Sequence, residues 1–392
     1  MVEPITGGRL SAAVLTPIGR GAVATIRVEG DLSELDRVAE PLFRAANGQP
    51  LSQQQLQRIA FGRWGQTDGE DVVVCRVGDR SLEIHCHGGD AAVRRILEDL
   101  QRTGCELVSW QQQLGATRDP LDAECFEALC RATTCRTAEI LLEQSSGLLK
   151  RAIEHLKDCT VTGNRTTELT QRLDSLLAWS RFGRHLTEPW CVVLTGRPNV
   201  GKSSLINALL GYSRAIVFDE PGTTRDVVTG ETAFDGWPVQ LADTAGLRET
   251  TEELEAAGIV LARRRLTLAD ARLVLVDISQ PPDADDEKLL TEWPDAILIG
   301  HKCDLADHWQ DRLPPNALRV SSVTGEGIAH LQTRLVEQLI PLVSTPGTPI
   351  PVTTRQIELL EVARHAVTNR DSTAIRAAIE SLLGQSEMSH RS

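Results

Sequence analysis

One stretch constrains this chain more than any other: Gly196-Arg197-Pro198-Asn199-Val200-Gly201-Lys202-Ser203-Ser204, which fits G-x-x-x-x-G-K-[ST]. Ahead of it, Trp190 to Thr195 is a short apolar run that reads as a buried strand. Behind it, Leu205, Ile206, Leu209 and Leu210 recur at helical spacing up to Gly211, a natural helix stop. A loop between a strand and a helix N-terminus is the setting in which this motif cradles phosphate. Its glycines let backbone N–H groups turn inward, and the helix end adds partial positive charge. Lys202 is expected on the β/γ-phosphates and the Ser203 hydroxyl on magnesium, with Asn199, Val200, Gly201 and Ser204 completing the loop.

Four further motifs follow in the order a GTPase requires. Gly222-Thr223-Thr224-Arg225-Asp226 supplies hydroxyls, Thr224 being expected over γ-phosphate and Mg2+. Asp243-Thr244-Ala245-Gly246 follows the apolar run Val239 to Ala242; Asp243 can hold magnesium through water, and the Gly246 N–H can meet the γ-phosphate. His301-Lys302-Cys303-Asp304 follows the run from Ala296 to Gly300, and the Asp304 carboxylate can accept from guanine N1–H and N2–H, which adenine does not present. Ser321-Ser322-Val323 follows Leu318 to Val320, and a backbone N–H there can read guanine O6. Each motif is expected at the C-terminal end of a strand, the edge where doubly wound sheets bind ligands. Asp304 and Ser321-Ser322 disfavour an ATPase. Two positions depart from the common pattern. Leu247 stands where Ras-like enzymes place a water-orienting Gln, and His301 stands where guanine-binding loops carry Asn. Imidazole retains one hydrogen-bond donor, so guanine selectivity is expected to survive through Asp304.

The chain has 392 residues, enough for two or three domains. Residues 1–115 read as a compact α+β N-terminal domain, with strands at Ala12–Leu15, Ala22–Val28, Asp71–Val77 and Leu82–Cys86 and a helix carrying Val93, Ile96, Leu97 and Leu100. Residues 116–188 and 343–392 carry helical patterns, the last eight being a tail, and residues 189–342 alternate strand and helix. The expected fold class is therefore an α/β P-loop GTPase domain, with a doubly wound, mostly parallel sheet, inserted in an α-helical domain and preceded by the α+β domain. No apolar run approaches the ~20 residues of a membrane helix, and no signal peptide is expected. The nine cysteines form no C-x-x-C pair and read as reduced thiols of a cytoplasmic protein; Cys125, Cys130 and Cys135 are expected around one helix rather than along one face. A net charge of −13 argues against nonspecific adhesion to nucleic acid, though a local basic patch could bind RNA. His85 and His87 share a strand face but match no metal motif, and Arg263-Arg264-Arg265 reads as a solvated helix face.

The GTPase motifs, with Gly196-Arg-Pro-Asn-Val-Gly-Lys-Ser, Gly222-Thr-Thr-Arg-Asp and Asp243-Thr-Ala-Gly-Leu-Arg-Glu249, resemble the bacterial tRNA-modification GTPase family MnmE (TrmE). Thr16-Pro-Ile-Gly-Arg-Gly21 and Glu83-Ile-His-Cys-His-Gly-Gly89 are similar to that family's folate-binding domain. The resemblance implies homodimers through the N-terminal domain and GTP hydrolysis to GDP with K+-dependent dimerisation of the GTPase domains. It also implies tRNA wobble-uridine modification with the flavoprotein partner MnmG, taking one carbon from a tetrahydrofolate derivative, and no membrane partner. Asn199 matches the K+ ligand of the phosphate loop, and Thr223 with the backbone of Phe218 and Glu220 matches the loop that completes the ion site. Glu255 matches the carboxylate that orients the attacking water, and Thr250-x-x-Glu253 is a capping box that would start a helix there. With Lys202 and Gly246, Glu255 is the expected catalytic group. Arg20 and Glu83 match folate-contacting positions.

The chain also departs from the family. Where Pro-Gly-Glu-Phe-Thr usually lies near the folate, Trp110-Gln-Gln-Gln-Leu-Gly-Ala-Thr-Arg118 stands instead, and no Cys-Ile-Gly-Lys follows Cys303. The alternative expectation is a derived GTPase switch that lacks modification chemistry and acts through nucleotide-dependent dimerisation and partner binding.

Overall fold

The computed structural model describes residues 10–17, 19, 21–65, 69–161, 166–212, 229–243 and 266–385. They fall into two compact units, Met1–Ala123 and Glu124–Ser392.

The first unit is built on a sheet of seven strands in the order β3-β4-β5-β6-β2-β1-β7. These are β1 (Ser11–Val14), β2 (Val23–Glu29), β3 (Phe43–Ala45), β4 (Ile59–Trp64), β5 (Glu70–Gly78), β6 (Ser81–His87) and β7 (Glu106–Leu107). Strand alternation decides which face is which. Ala24, Ile26 and Val28 of β2 and Leu82, Ile84 and Cys86 of β6 enter the core, where Ile96 and Leu100 of α1 (Asp90–Arg102) join them. Thr25, Arg27, Glu83 and His85 are one residue out of phase and point the other way. Strands β3 and β4 were not expected from the sequence. Helix also begins earlier than expected: α2 (Trp110–Thr117) starts at Ser109, whose hydroxyl caps the Gln112 N–H while the Gln112 side chain returns to the Ser109 N–H.

The second unit combines helices with a six-stranded sheet ordered β13-β12-β11-β8-β10-β9. The helices α3 (Pro120–Cys130), α4 (Cys135–Ser145), α5 (Leu148–Val161), α6 (Thr166–Leu177) and α7 (Ser180–Arg184) come first. Cys125 and Cys130 share α3, but Cys135 opens α4, so the three do not lie on one helix as the spacing suggested; none of the nine cysteines forms a disulfide. The sheet strands are β8 (Trp190–Gly196), β9 (Thr229–Phe234), β10 (Trp237–Asp243), β11 (Ala271–Asp277), β12 (Ile297–His301) and β13 (Leu318–Val320). All neighbouring pairs are parallel except β9 with β10. Among the described residues, helices α8 (Lys202–Tyr212), α9 (Ala284–Glu292) and α10 (Ile328–Leu339) belong to the α/β part. Their partners are strands so apolar that Leu273, Val274, Leu275 and Val276 are all buried, the run a two-sided parallel sheet demands.

After α10 the chain returns to helix in α11 (Thr354–Thr368) and α12 (Ser372–Leu382). Helix α11 packs on α6 and α12 on α5, so the α/β part is inserted in one helical domain. Two buried amides secure the return. Gln144 of α4 donates to the Thr348 carbonyl at 3.1 Å and accepts from the Ile350 N–H at 3.1 Å. Gln356 donates to Glu124 at 2.8 Å and accepts from the Val352 N–H at 2.8 Å. Gly183 of α7 passes so close to this segment that a Cβ there would stand 1.9 Å from the Pro351 oxygen. Among the described residues no helix is long and apolar enough to cross a membrane.

Candidate functional site

Strand β8 is flanked by β10 on one side and β11 on the other, so the chain order reverses at its C-terminal end. That crevice is where the phosphate loop sits, running from Gly196 into the first turn of α8. Its backbone is unusual where the motif requires it. Gly201 has φ +101°, and a Cβ there would lie 2.5 Å from Cε1 of His301, so conformation and space both demand glycine. Asn199 is left-handed (φ 63°) and exposed at the lip. Lys202 is buried, and its Nζ donates to the carbonyls of Gly196 at 3.0 Å and Arg197 at 2.9 Å. An ammonium held by the loop's own carbonyls is aimed into the cradle. Ser204 follows in the first turn of α8.

Asp243 ends β10 beside this loop. Its carboxylate, almost wholly buried, accepts from the Ser203 hydroxyl at 2.9 Å. Two hard oxygen donors thus converge at the helix N-terminus, a donor set suited to Mg2+. Arg197, by contrast, turns away: its guanidinium pairs with Asp283 and Asp286 at the start of α9.

The base-reading side gathers at the ends of β12 and β13. Lys302 has φ 65°, and its Nζ reaches back to Asp277 at 2.5 Å and to the Asn199 carbonyl at 3.2 Å. Burial pushes the Asp277 carboxyl up, but donors from Lys302 and Ser279 outweigh it and hold it below the usual range. Asp304 is exposed beyond this pair. Ser321 is fully buried and builds the turn: its hydroxyl accepts from the Val323 and Thr324 amides, both at 3.2 Å, and its own N–H donates to the Glu326 carbonyl at 3.0 Å. Most of the turn's amides are therefore committed internally, while that of Ser322 has no partner among the described residues.

His301 joins the two sides. It is 3% exposed, with Nδ1 2.8 Å from the Val200 carbonyl oxygen and Nε2 against the Ser322 hydroxyl. Burial, aided by the Lys302 charge, holds the imidazole below its ordinary range against the opposing pull of the Val200 hydrogen bond, Asp277 and Asp304. Its one donor, expected to be available to the base, is thus already used. Sequence reasoning missed this because Val200 and Ser322, far from His301 in the chain, meet it only once the sheet sets the ends of β8, β12 and β13 along one edge.

Other expected residues lie elsewhere. Thr223, Thr224, Phe218, Glu220, Gly246, Leu247, Glu255 and Arg20 fall outside the described residues. Glu83 is on β6 in the first unit, paired with Arg27 across the strand and with His85 Nε2 at 3.5 Å. His85 Nδ1 also meets the Thr25 hydroxyl at 3.0 Å, and His87 pairs with Glu70. Among the described residues no cluster of His, Cys, Asp and Glu could hold a metal ion. The first unit also contains a cavity of about 630 Å³, lined by Thr16, Pro17, Gly19, Asp90, Arg94 and Trp110 among others. Glu83 does not line it; it faces away on the other side of the sheet.

A phosphate loop at the switch point of such a sheet, with Asp243 beside it and the Lys302-x-Asp304 loop across from it, defines a P-loop GTPase, an enzyme that binds and hydrolyses GTP. Residues 191–300 match the model of the family described as 50S ribosome-binding GTPase, and residues 11–109 that of the GTP-binding protein TrmE N-terminus. The chain is 34% identical over 337 residues to the tRNA modification GTPase MnmE of Geobacillus thermodenitrificans, covering 75% of this chain and 72% of the relative. It is 30% identical over 433 residues to that of Symbiobacterium thermophilum, covering 96% and 91%, and 30% over 407 residues to that of Lactiplantibacillus plantarum, covering 91% and 87%. The chain belongs to the tRNA modification GTPase MnmE family.

Proposed function

We propose that this chain runs a GTP cycle in which K+-stimulated dimerisation of the GTPase domains gates modification of the tRNA wobble uridine. The observation that carries the reading is the apposition of Ser203 and Asp243 at 2.9 Å on the head of the phosphate loop. These oxygens would hold Mg2+, Asp243 through water, with Thr224 completing the set; the ion neutralises charge between the β- and γ-phosphates when bound. Lys202 lies along the phosphates, and the Gly246 N–H meets the γ-phosphate. Asp304 and the Ser322 N–H read guanine, in keeping with the exposure of the first and the open amide of the second. Asn199, exposed at the lip, offers its side chain to K+ together with Thr223 and the backbone of Phe218 and Glu220. Glu255 orients the attacking water, the role that Leu247 cannot fill.

In this reading the domains are 1–115, 116–188, 189–342 and 343–392, the second and fourth being one helical body. The protein is a cytoplasmic homodimer through its first domain and works with the flavoprotein MnmG and tRNA. A tetrahydrofolate derivative binds in the first domain, where Arg20 and Glu83 contact it. The test is GTP turnover in KCl against NaCl, with Asn199→Ala as control. Turnover should rise in KCl for the wild type and lose that preference in the variant; equal rates in both salts would remove the K+ assignment.

One observation favours a second reading. Residues 110–117 form a capped helix, and Gln113 is buried against the sheet, donating to the Ser11 carbonyl at 3.4 Å and the Arg27 carbonyl at 3.3 Å. A segment so committed to packing differs from the Pro-Gly-Glu-Phe-Thr wall expected near a folate. The chain would then act as a nucleotide-dependent switch without one-carbon chemistry. Mass spectrometry of tRNA nucleosides from cells lacking the family enzyme but expressing this chain decides between them: restored modified uridine refutes the second reading.

A further inference from the structure

The phosphate loop and the guanine-reading turn come from opposite ends of the α/β part, and a single ring lies between them. We propose that His301 is a positioning residue for guanine recognition: a neutral imidazole, protonated on Nδ1, that ties the phosphate loop to the base-reading turn. This rests on the GTPase reading above and deepens it, because it assigns the link between the two halves of the nucleotide site.

The protonation pattern follows from the partners. A carbonyl oxygen can only accept, so the Val200 oxygen at 2.8 Å requires hydrogen on Nδ1. Burial disfavours a second proton, so Nε2 presents its lone pair and the Ser322 hydroxyl donates to it. Both ring nitrogens are then occupied on opposite sides of the ring. Asparagine, with two N–H bonds and a carbonyl on one short amide, could hold Val200 and still face the base; imidazole cannot. It reaches further, and it makes a bridge instead of a base contact.

The ring is fixed on its other sides as well. In the sheet register His301 lies opposite Asp277 of β11 and Val320 of β13. A Cβ on Gly201 would stand 2.5 Å from Cε1 and 2.6 Å from Nδ1, so the ring rests directly on the phosphate-loop backbone. Ser322 therefore has two separate tasks. Its N–H has no partner among the described residues, while its hydroxyl is committed to His301. The Ser322 side chain influences nucleotide only through the imidazole.

The experiment uses the full chain and a fluorescent GDP analogue, comparing wild type, His301→Ala, His301→Asn, Ser322→Ala and the double variant carrying both alanines. Orphaning the Val200 carbonyl and releasing the turn should weaken GDP binding about 10–100-fold in His301→Ala, and Ser322→Ala should weaken it about 5-fold. The double variant should be no weaker than His301→Ala alone, because the serine acts through the ring. His301→Asn should recover binding to within a few-fold of wild type. Independently of any alanine variant's folding, 15N spectra of histidine-labelled protein should show His301, identified by its loss in His301→Asn, with Nδ1 protonated and Nε2 bare. An Nε2–H tautomer, an imidazolium, additive losses in the double variant, or undiminished binding in His301→Ala would overturn the assignment. A wild type that binds no guanine nucleotide would refute the GTPase reading itself, whereas normal wild-type binding with a tolerant His301→Ala refutes only the bridge.

Discussion

Replacing Asp270 by alanine should loosen the seam between the helical domain and the α/β sheet without touching nucleotide affinity. The Asp270 carboxylate, 16% exposed, accepts from the Cys191 N–H at 2.9 Å, from Arg181 Nη2 at 3.2 Å and from His185 Nε2 at 3.2 Å. His185 stacks on Trp190 with ring centroids 3.7 Å apart, and Arg181 lies over the same indole at 5.1 Å. Alanine removes a charge-assisted hydrogen bond from the Cys191 N–H, worth about 1.5–3 kcal/mol. The Arg181 pair is more than half exposed on the arginine side and adds under about 1 kcal/mol. The sum is roughly 2–4 kcal/mol, or about 5–15 °C in the melting temperature of a unit this size. Asp270→Asn keeps one acceptor for Cys191 and should lose about half as much. Burial would raise the Asp270 carboxyl, but donors from His185, Cys191 and Arg181 bring it below its ordinary value. A depressed folded pKa means that the contribution is present above the unfolded value, about 3.9, and lost only as the pH falls through the lower folded value. The Asp270 carboxyl's own titration should therefore narrow the gap between wild type and Asp270→Ala only in acid solution, as the pH falls through the depressed folded value. Because Asp270 precedes β11, at the sheet edge remote from the phosphate loop, GDP affinity well below the melting range should match wild type. Scanning calorimetry and GDP titration check both halves; a melting shift under about 2 °C, or weakened GDP binding in folded protein, would refute the reasoning.

Three other outcomes are expected. Asp304→Asn should shift preference from guanosine toward xanthosine nucleotides, since the amide donates where the carboxylate accepted; competition with GDP and XDP measures it, and an unchanged order would remove Asp304 from base recognition. Glu255→Ala should slow hydrolysis by about 10²–10⁴-fold with GTP affinity nearly unchanged; single-turnover assays beside Glu249→Ala would expose a wrong choice of carboxylate if only the latter were slow. Gln144→Ala should orphan the buried Ile350 N–H and cost about 1–3 kcal/mol, read as faster proteolysis of the 341–353 connector, and equal cleavage rates would contradict the role given to that amide.

What the sequence alone determined was whatever carries its own context. The phosphate loop was legible because its strand and helix lie within a few residues of it, and the helical faces of α11 and α12 because Ile357, Leu360, Ala363 and Ile375, Ile379, Leu382 recur at the helical period. The inserted arrangement followed from helical patterns on both sides of an alternating block. The early start of α2 was also written locally, in the Ser109 and Gln112 capping pair. Strand β4 was harder: Ile59 and Phe61 are exposed while Ala60, Gly62 and Trp64 face inward, so its hydrophobic residues fall on both faces and the alternation is blurred. Tertiary structure alone decided which partners the polar groups take. Glu83 meets Arg27 because β6 pairs with β2, Asp270 meets Cys191 across the base of the sheet, and His301 reaches Ser322 because β12 pairs with β13, and Val200 past the end of β11, the strand between β12 and β8. A side chain's chemistry is local, but its hydrogen-bond partners are set by register and topology, so sequence named His301 as unusual and only the fold showed that its donor is already engaged.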